Sequence, residues 1–159
     1  RRQGALAAVA ALDVPVCLMH MQGEPDTMQE NPAYEDVVAS VSDFFVERLA
    51  ACADAGIAPS RLLLDPGFGF GKTLAHNCRL LRELAQFRRF GLPLLAGLSR
   101  KSMINGILPG RTVDQRMPAS ITLAALAVQN GAWIIRAHDI AATADAIRIA
   151  AYLTQEDFA

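Results

Sequence analysis

Two rhythms of apolar and polar positions alternate along the chain. Short apolar runs at 16–19, 62–64, 94–98 and 132–135 are bounded by Pro, Gly or charged residues, the pattern of buried strands. Between them apolar residues recur at three and four, the period of helices with one inward face. From Tyr34 to Ala55 that face carries Val37, Val38, Val41, Phe44, Phe45, Leu49 and Ala53. The same period runs over 74–87, 119–129 and 140–153, and 6–12 is a shorter apolar helical segment. Gly56, Gly91 and Gly131 close three of the helices, Pro118 opens one and Asp139 caps the last. Residues 106–117 are polar and turn-rich, and 154–159 should fray. Four strand-to-helix repeats predict an α/β fold with parallel strands and right-handed crossovers. Periodicity alone leaves an open doubly wound sheet and a barrel equally possible.

Each strand ends in polar or charged residues, and in parallel α/β folds ligands bind at that end. The second run meets Asp65, then Pro66, then Gly67, Gly69 and Gly71 before Lys72-Thr73 opens a helix. Asp65 reads as a site residue, with a turn or cap aspartate as the plain alternative. The glycines are spaced by two, which fails the dinucleotide fingerprint. A phosphate-cradling loop needs a glycine where Pro66 stands, and proline has no N–H to give. What remains is a loop that brings Phe68 and Phe70 beside a carboxylate. After the third strand, Ser99-Arg100-Lys101-Ser102 sets two cations and helix-start N–H groups toward an anion or carbonyl, or forms a solvated charge pair. After the fourth, Arg136 and His138 share one side by the period of two and suit an oxyanion or pyrophosphate. Met19-His20-Met21 has no further ligands near it in sequence and reads as packing rather than as a soft-metal site. The loop from Gln22 to about Tyr34 is long enough to be functional.

Composition narrows the classes. The 159 residues are 52% hydrophobic, enough for one domain with a substantial core. Fifteen basic and 16 acidic residues leave a net charge of −1, so neither nucleic acid nor an anionic membrane is expected as a partner. Cys17, Cys52 and Cys78 lack metal or disulfide spacing and fit reduced thiols in the cytoplasm. No basic leader and no membrane-length apolar run is present, which predicts a soluble protein. The start at Arg1-Arg2, without methionine, reads as a cut.

Four motifs in order, Leu18-Met19-His20-Met21-Gln22-Gly23, Asp65-Pro66-Gly67-Phe68-Gly69-Phe70-Gly71-Lys72, Leu98-Ser99-Arg100-Lys101-Ser102 and Ile135-Arg136-Ala137-His138-Asp139, resemble the signatures of the dihydropteroate synthase family. The resemblance implies the carboxyl-terminal half of an eight-stranded β/α barrel, strands five to eight with their helices, as a single domain over 1–159. It implies a reaction in which 4-aminobenzoate displaces pyrophosphate from 6-hydroxymethyl-7,8-dihydropterin pyrophosphate, with magnesium assisting the leaving group. By resemblance Met19 lines the pterin pocket, Asp65 accepts two donors from the pterin's amino-pyrimidine edge and Lys101 donates to its carbonyl and ring nitrogen. Arg136 and His138 stabilise the leaving pyrophosphate, with Lys101 beside them in the phosphate region. Phe70 walls the aminobenzoate slot, and Ser102, with Arg100 as a weaker candidate, receives its carboxylate.

The family's magnesium-binding asparagine belongs to early strands, so no metal ligand is expected in this chain. Without that half the chain should be inactive alone. Its open strand edges predict a homo-oligomer, one copy's last strand pairing with another's first. A non-catalytic half-barrel module and a phosphate-loop nucleotide binder are the competing readings.

Overall fold

The computed structural model of the chain describes residues 4–153, so the expectation for 154–159 lies outside the described residues. Strand β1 (Val16–Met19) pairs in parallel with β2 (Leu62–Asp65), placing Met19 beside Asp65. Strand β3 (Leu95–Ala96) pairs in parallel with β4 (Ile134–Ile135). A parallel bridge between Leu64 and Leu94 joins the two pairs, so the strands lie side by side in chain order. A doubly wound sheet reverses its strand order at a switch point, whereas a barrel adds each strand beside the last. The order β1-β2-β3-β4 therefore favours the barrel over the open sheet.

The helices α1 (Ala5–Ala11), α2 (Val37–Asp54), α3 (Leu74–Arg82), α4 (Ser102–Ile107), α5 (Met117–Gln129) and α6 (Ile140–Leu153) punctuate the strands. One face of α2 gives Val37, Val41 and Phe45 to a continuous core with Leu64, Leu80, Leu84, Phe87 and Leu94. Phe45 meets Phe87 and Phe90 edge-on, at ring centroid distances of 5.5 and 5.8 Å. This core fixes the strands from the outside, and the polar strand ends project beyond it.

The helix expected from Tyr34 begins at Val37, because the Asp36 carboxylate accepts the N–H groups of Val38 and Ala39 and caps it there. The helix expected over 74–87 stops at Arg82, and a 3-10 turn runs over Leu84–Phe90. Leu84, Phe87 and Phe90 are spaced by three, and the eclipsed 3-10 geometry turns them all to the core. Strand β3 covers only Leu95–Ala96 of the 94–98 run, with Leu94 adding one parallel bridge to Leu64 and a turn following at 99–100. The turn-rich stretch before Pro118 holds the end of α4 and a 3-10 turn at Val113–Arg116, and α5 starts at Met117.

Among the described residues no strand pairs with the outer edges of β1 or β4. Trp133, at the start of β4, is 80% exposed. A broad hollow of about 950 Å³ opens beside β1, where Cys17, Met19, Met21 and Phe44 line it. No helix among the described residues is long and apolar enough to cross a membrane.

Candidate active site

Asp65 ends β2 only 5% exposed and accepts the Gly67 N–H at 2.7 Å. Burial pushes its carboxyl above the ordinary aspartate range, while the Gly67 N–H and the charges of Arg136, Lys101 and Lys72 pull it back. A buried carboxylate with one strong internal partner keeps acceptor capacity for a ligand. Cys17, on the neighbouring strand, is open to the broad hollow, yet desolvation of its thiol and the nearby Asp65 charge push it up to about 11.

Beyond Asp65 the loop passes close against the segment that follows β1. A side chain at Gly67, where φ is +71°, would put its Cβ 1.8 Å from the His20 carbonyl oxygen. One at Gly71, with φ +62°, would come within 2.4 Å of the Gln22 carbonyl oxygen. Only glycine fits either place. Asn77, from α3, accepts the Gly69 N–H at 2.7 Å and donates to the Thr73 carbonyl at 2.7 Å, and the Tyr34 hydroxyl donates to the Gly71 carbonyl at 2.8 Å. The Gln29 amide also donates to the Gly69 carbonyl, so the long 22–34 loop touches the site as expected.

Lys101 arrives from just past β3. Its ammonium donates to the Phe68 carbonyl at 2.7 Å and lies 4.1 Å from the centre of the Phe70 ring. Burial and the neighbouring Arg136 lower its pKa, with Asp65 opposing. Arg136 continues β4 and folds over Gly97, where a Cβ would stand 3.3 Å from its Nε. His138 hangs from Ser99: its backbone N–H donates to Ser99 Oγ at 3.1 Å and its Nδ1 lies 2.9 Å from the same oxygen. Gly97, Ser99, Lys101, Arg136, Ala137 and His138 enclose a cavity of about 280 Å³. The structure thus brings Lys101, Arg136 and His138 around one polar hollow, with the Asp65 carboxylate near enough to feel the charges of Arg136 and Lys101.

Met19 is half-buried on β1 beside Asp65 and lines the broader hollow. Ser102 is exposed at the first position of α4. Arg100 takes a different part. Its guanidinium makes a two-point ion pair with Asp139, Nη2 to Oδ1 at 2.7 Å and Nε to Oδ2 at 3.1 Å. Its backbone is left-handed at φ +56°, and its N–H donates to Ser120 Oγ at 2.9 Å. The pair ties the loop after β3 to the loop after β4, and the carboxylate expected to cap α6 is held by Arg100 instead, while the Asp139 carbonyl accepts the Thr143 N–H.

Sequence reasoning gave no site role to Lys72 or Ser99. Lys72 is 4% exposed, and burial pushes its pKa down to about 7. Spacing to the phosphate-loop pattern drew attention to Lys72 for the wrong reason, and the serine in Leu98-Ser99-Arg100 carried no signal beyond its place at a strand end. For a metal, the fit is poor: among the described residues no three His, Cys, Asp or Glu side chains gather as ligands.

Comparison with known proteins follows the same geometry. The family model described as pterin binding enzyme matches residues 1–138. The dihydropteroate synthase of Escherichia coli K12 is 54% identical over 146 residues, covering 92% of this chain. The chain spans about half the length of the curated relatives it matches, 51% in that case. The crystal structure of the Yersinia pestis dihydropteroate synthase with a sulfonamide drug complex superposes with a TM-score of 0.93 at 47% identity, over 96% of this chain and 55% of that one. The Xanthomonas albilineans dihydropteroate synthase in complex with 7,8-dihydropteroate gives a TM-score of 0.88 at 47% identity, over 96% and 57% of the two chains. The four parallel repeats are therefore the carboxyl-terminal half of a β/α barrel, and the chain belongs to the pterin binding enzyme family.

Proposed function

We propose that this chain supplies the pterin-recognising and leaving-group side of a dihydropteroate synthase. The observation that carries the reading is that Lys101, Arg136 and His138 line one polar hollow past β3 and β4, while Asp65, at the end of the neighbouring β2, lies within reach of the charges of Lys101 and Arg136. Asp65 would accept two parallel N–H bonds from the amino-pyrimidine edge of the pterin, a charge-assisted pair that selects for this edge. Lys101, already poised by the Phe68 carbonyl and the Phe70 ring, would turn to the carbonyl and ring nitrogen of the same heterocycle.

In the reaction the nitrogen of 4-aminobenzoate attacks the methylene carbon, the carbon–oxygen bond to pyrophosphate breaks and the new amine sheds a proton. Negative charge grows on the departing pyrophosphate, where Arg136 and His138 would stabilise it. The Ser99 hydroxyl holds His138 by its Nδ1 edge, which leaves Nε2 for the ligand. Phe70 would wall the aminobenzoate slot, with Ser102 near its carboxylate. Magnesium, when bound, would share the leaving group's charge and would take its ligands from outside these residues. A cytoplasmic setting fits the three free cysteines.

The unpaired edges of β1 and β4 support self-association of the isolated chain. Such a chain is expected to be oligomeric and to make no dihydropteroate until an amino-terminal half is supplied. Titrating the chain with a pterin, a sulfonamide and ATP tests the reading. Pterin binding without ATP binding supports it, ATP binding alone would restore the phosphate-loop alternative, and binding of none would favour a non-catalytic assembly module.

A further inference from the structure

Lys72 is the most deeply buried cation among the described residues and has no part in the chemistry above. Its ammonium lies 2.9 Å from His20 Nδ1, 3.0 Å from the Gly67 carbonyl and 3.1 Å from the Phe70 carbonyl. An amine has three positions for hydrogen bonds around its nitrogen, and these partners fill all of them. An ammonium donates to all three, and a neutral amine donates to the carbonyls and accepts from Nδ1–H. Two of the partners bracket the glycine loop, and the third belongs to the segment after β1. Asp65 and Lys101 face the ammonium electrostatically, with Asp65 attracting and Lys101 repelling it. The Tyr34 ring centre lies 6.0 Å away, and His76 feels its charge from α3.

Phe68 and Phe70 in this loop are the groups that hold Lys101, one by its carbonyl and the other by its ring. A buried amine that fixes the loop's curvature therefore fixes where Lys101 and the Phe70 wall stand. We propose that Lys72 is a positioning residue: it clamps residues 67–70 to His20 and through Phe68 and Phe70 sets Lys101 for the pterin. The proposal rests on the pterin reading of Asp65 and Lys101, but the clamp itself can be measured without that reading.

The test compares the 159-residue chain with its Lys72→Met variant. Lys72→Met should speed amide exchange at Gly69 and Phe70 about tenfold or more and leave α5 unchanged, since local opening is set by local contacts. The imidazole nitrogen resonances of His20 should move. Affinity for 6-hydroxymethylpterin should fall about tenfold, while affinity for inorganic pyrophosphate should fall by no more than about threefold, because Arg136 and His138 keep their places in the hollow and only the Lys101 share is disturbed.

Unchanged exchange together with an unchanged His20 spectrum would overturn the clamp. Parallel loss of pterin and pyrophosphate affinity would overturn the positioning role and leave Lys72 a general stability residue. If the variant fails to fold, the unmodified chain decides: a His20 imidazole that titrates as a freely hydrated one contradicts the clamp, and one with unequal, hydrogen-bonded nitrogens supports it. A wild-type chain that binds no pterin sinks the proposed function, while the exchange and imidazole readouts still judge Lys72.

Discussion

The carboxyl ends of β2 and β4 both present charge, yet they are built in opposite ways. At β2, Asp65 is buried, the following loop packs backbone against backbone on the segment after β1, and Lys72 and Asn77 are held beneath it. At β4, Arg136 and His138 stay exposed and lean on single small partners, Gly97 and Ser99. Burying a charge costs free energy that only good partners offset, so the β2 end must be shaped before a ligand arrives. Exposed groups carry no such cost and can reach a hydrated anion. The contrast is between an end whose shape is set by packing and an end whose charged groups stay free to adjust.

The comparison breaks most sharply at glycine. Gly67→Ala sets a Cβ 1.8 Å from the His20 carbonyl at a left-handed φ of +71°, and should cost about 3 kcal/mol or more of stability in urea unfolding. Gly110→Ala is the control: its φ is +82° but nothing lies within 4 Å, so only the backbone penalty of about 1–2 kcal/mol is expected. Equal losses at the two positions would mean that the β2 loop is not tightly packed.

Asp65→Asn comes next. It should weaken pterin binding by about 1–3 kcal/mol, the cost of losing a charge-assisted pair, measured calorimetrically. The pH dependence has a definite sign. Because burial raises the Asp65 pKa above 3.8, the carboxylate gains its proton earlier on acidification than an ordinary aspartate, and pterin affinity should fall as pH drops through that raised value. Asp65→Asn should flatten this acid limb. An acid limb that survives the substitution assigns it to another group.

Much of this was legible from the chain because it is local. Each strand is a short apolar run, and the residue that follows it must face the ligand side, which located Asp65, Lys101, Arg136 and His138 without contacts. Resemblance turned those positions into roles. What stayed hidden depends on segments far apart in sequence. Lys72 is buried by a partner at position 20, and no local pattern announces that meeting. Arg100 looks like a second free cation beside Lys101, yet its left-handed backbone turns it to Asp139. The 3-10 turn at Leu84–Phe90 had a visible signal in the spacing of Leu84, Phe87 and Phe90, but Leu80 and Leu81 before it continue the helical period and masked the change.

The division between the two strand ends is tested most directly by one measurement on the 159-residue chain. Affinities for 6-hydroxymethyl-7,8-dihydropterin and for its pyrophosphate ester would be compared in the wild type, Arg136→Ala and His138→Ala. Each substitution should weaken the ester about tenfold and leave the bare alcohol within about twofold, since the lost contact is to the leaving group alone. Equal loss for both ligands would contradict the assignment of Arg136 and His138 to the departing pyrophosphate.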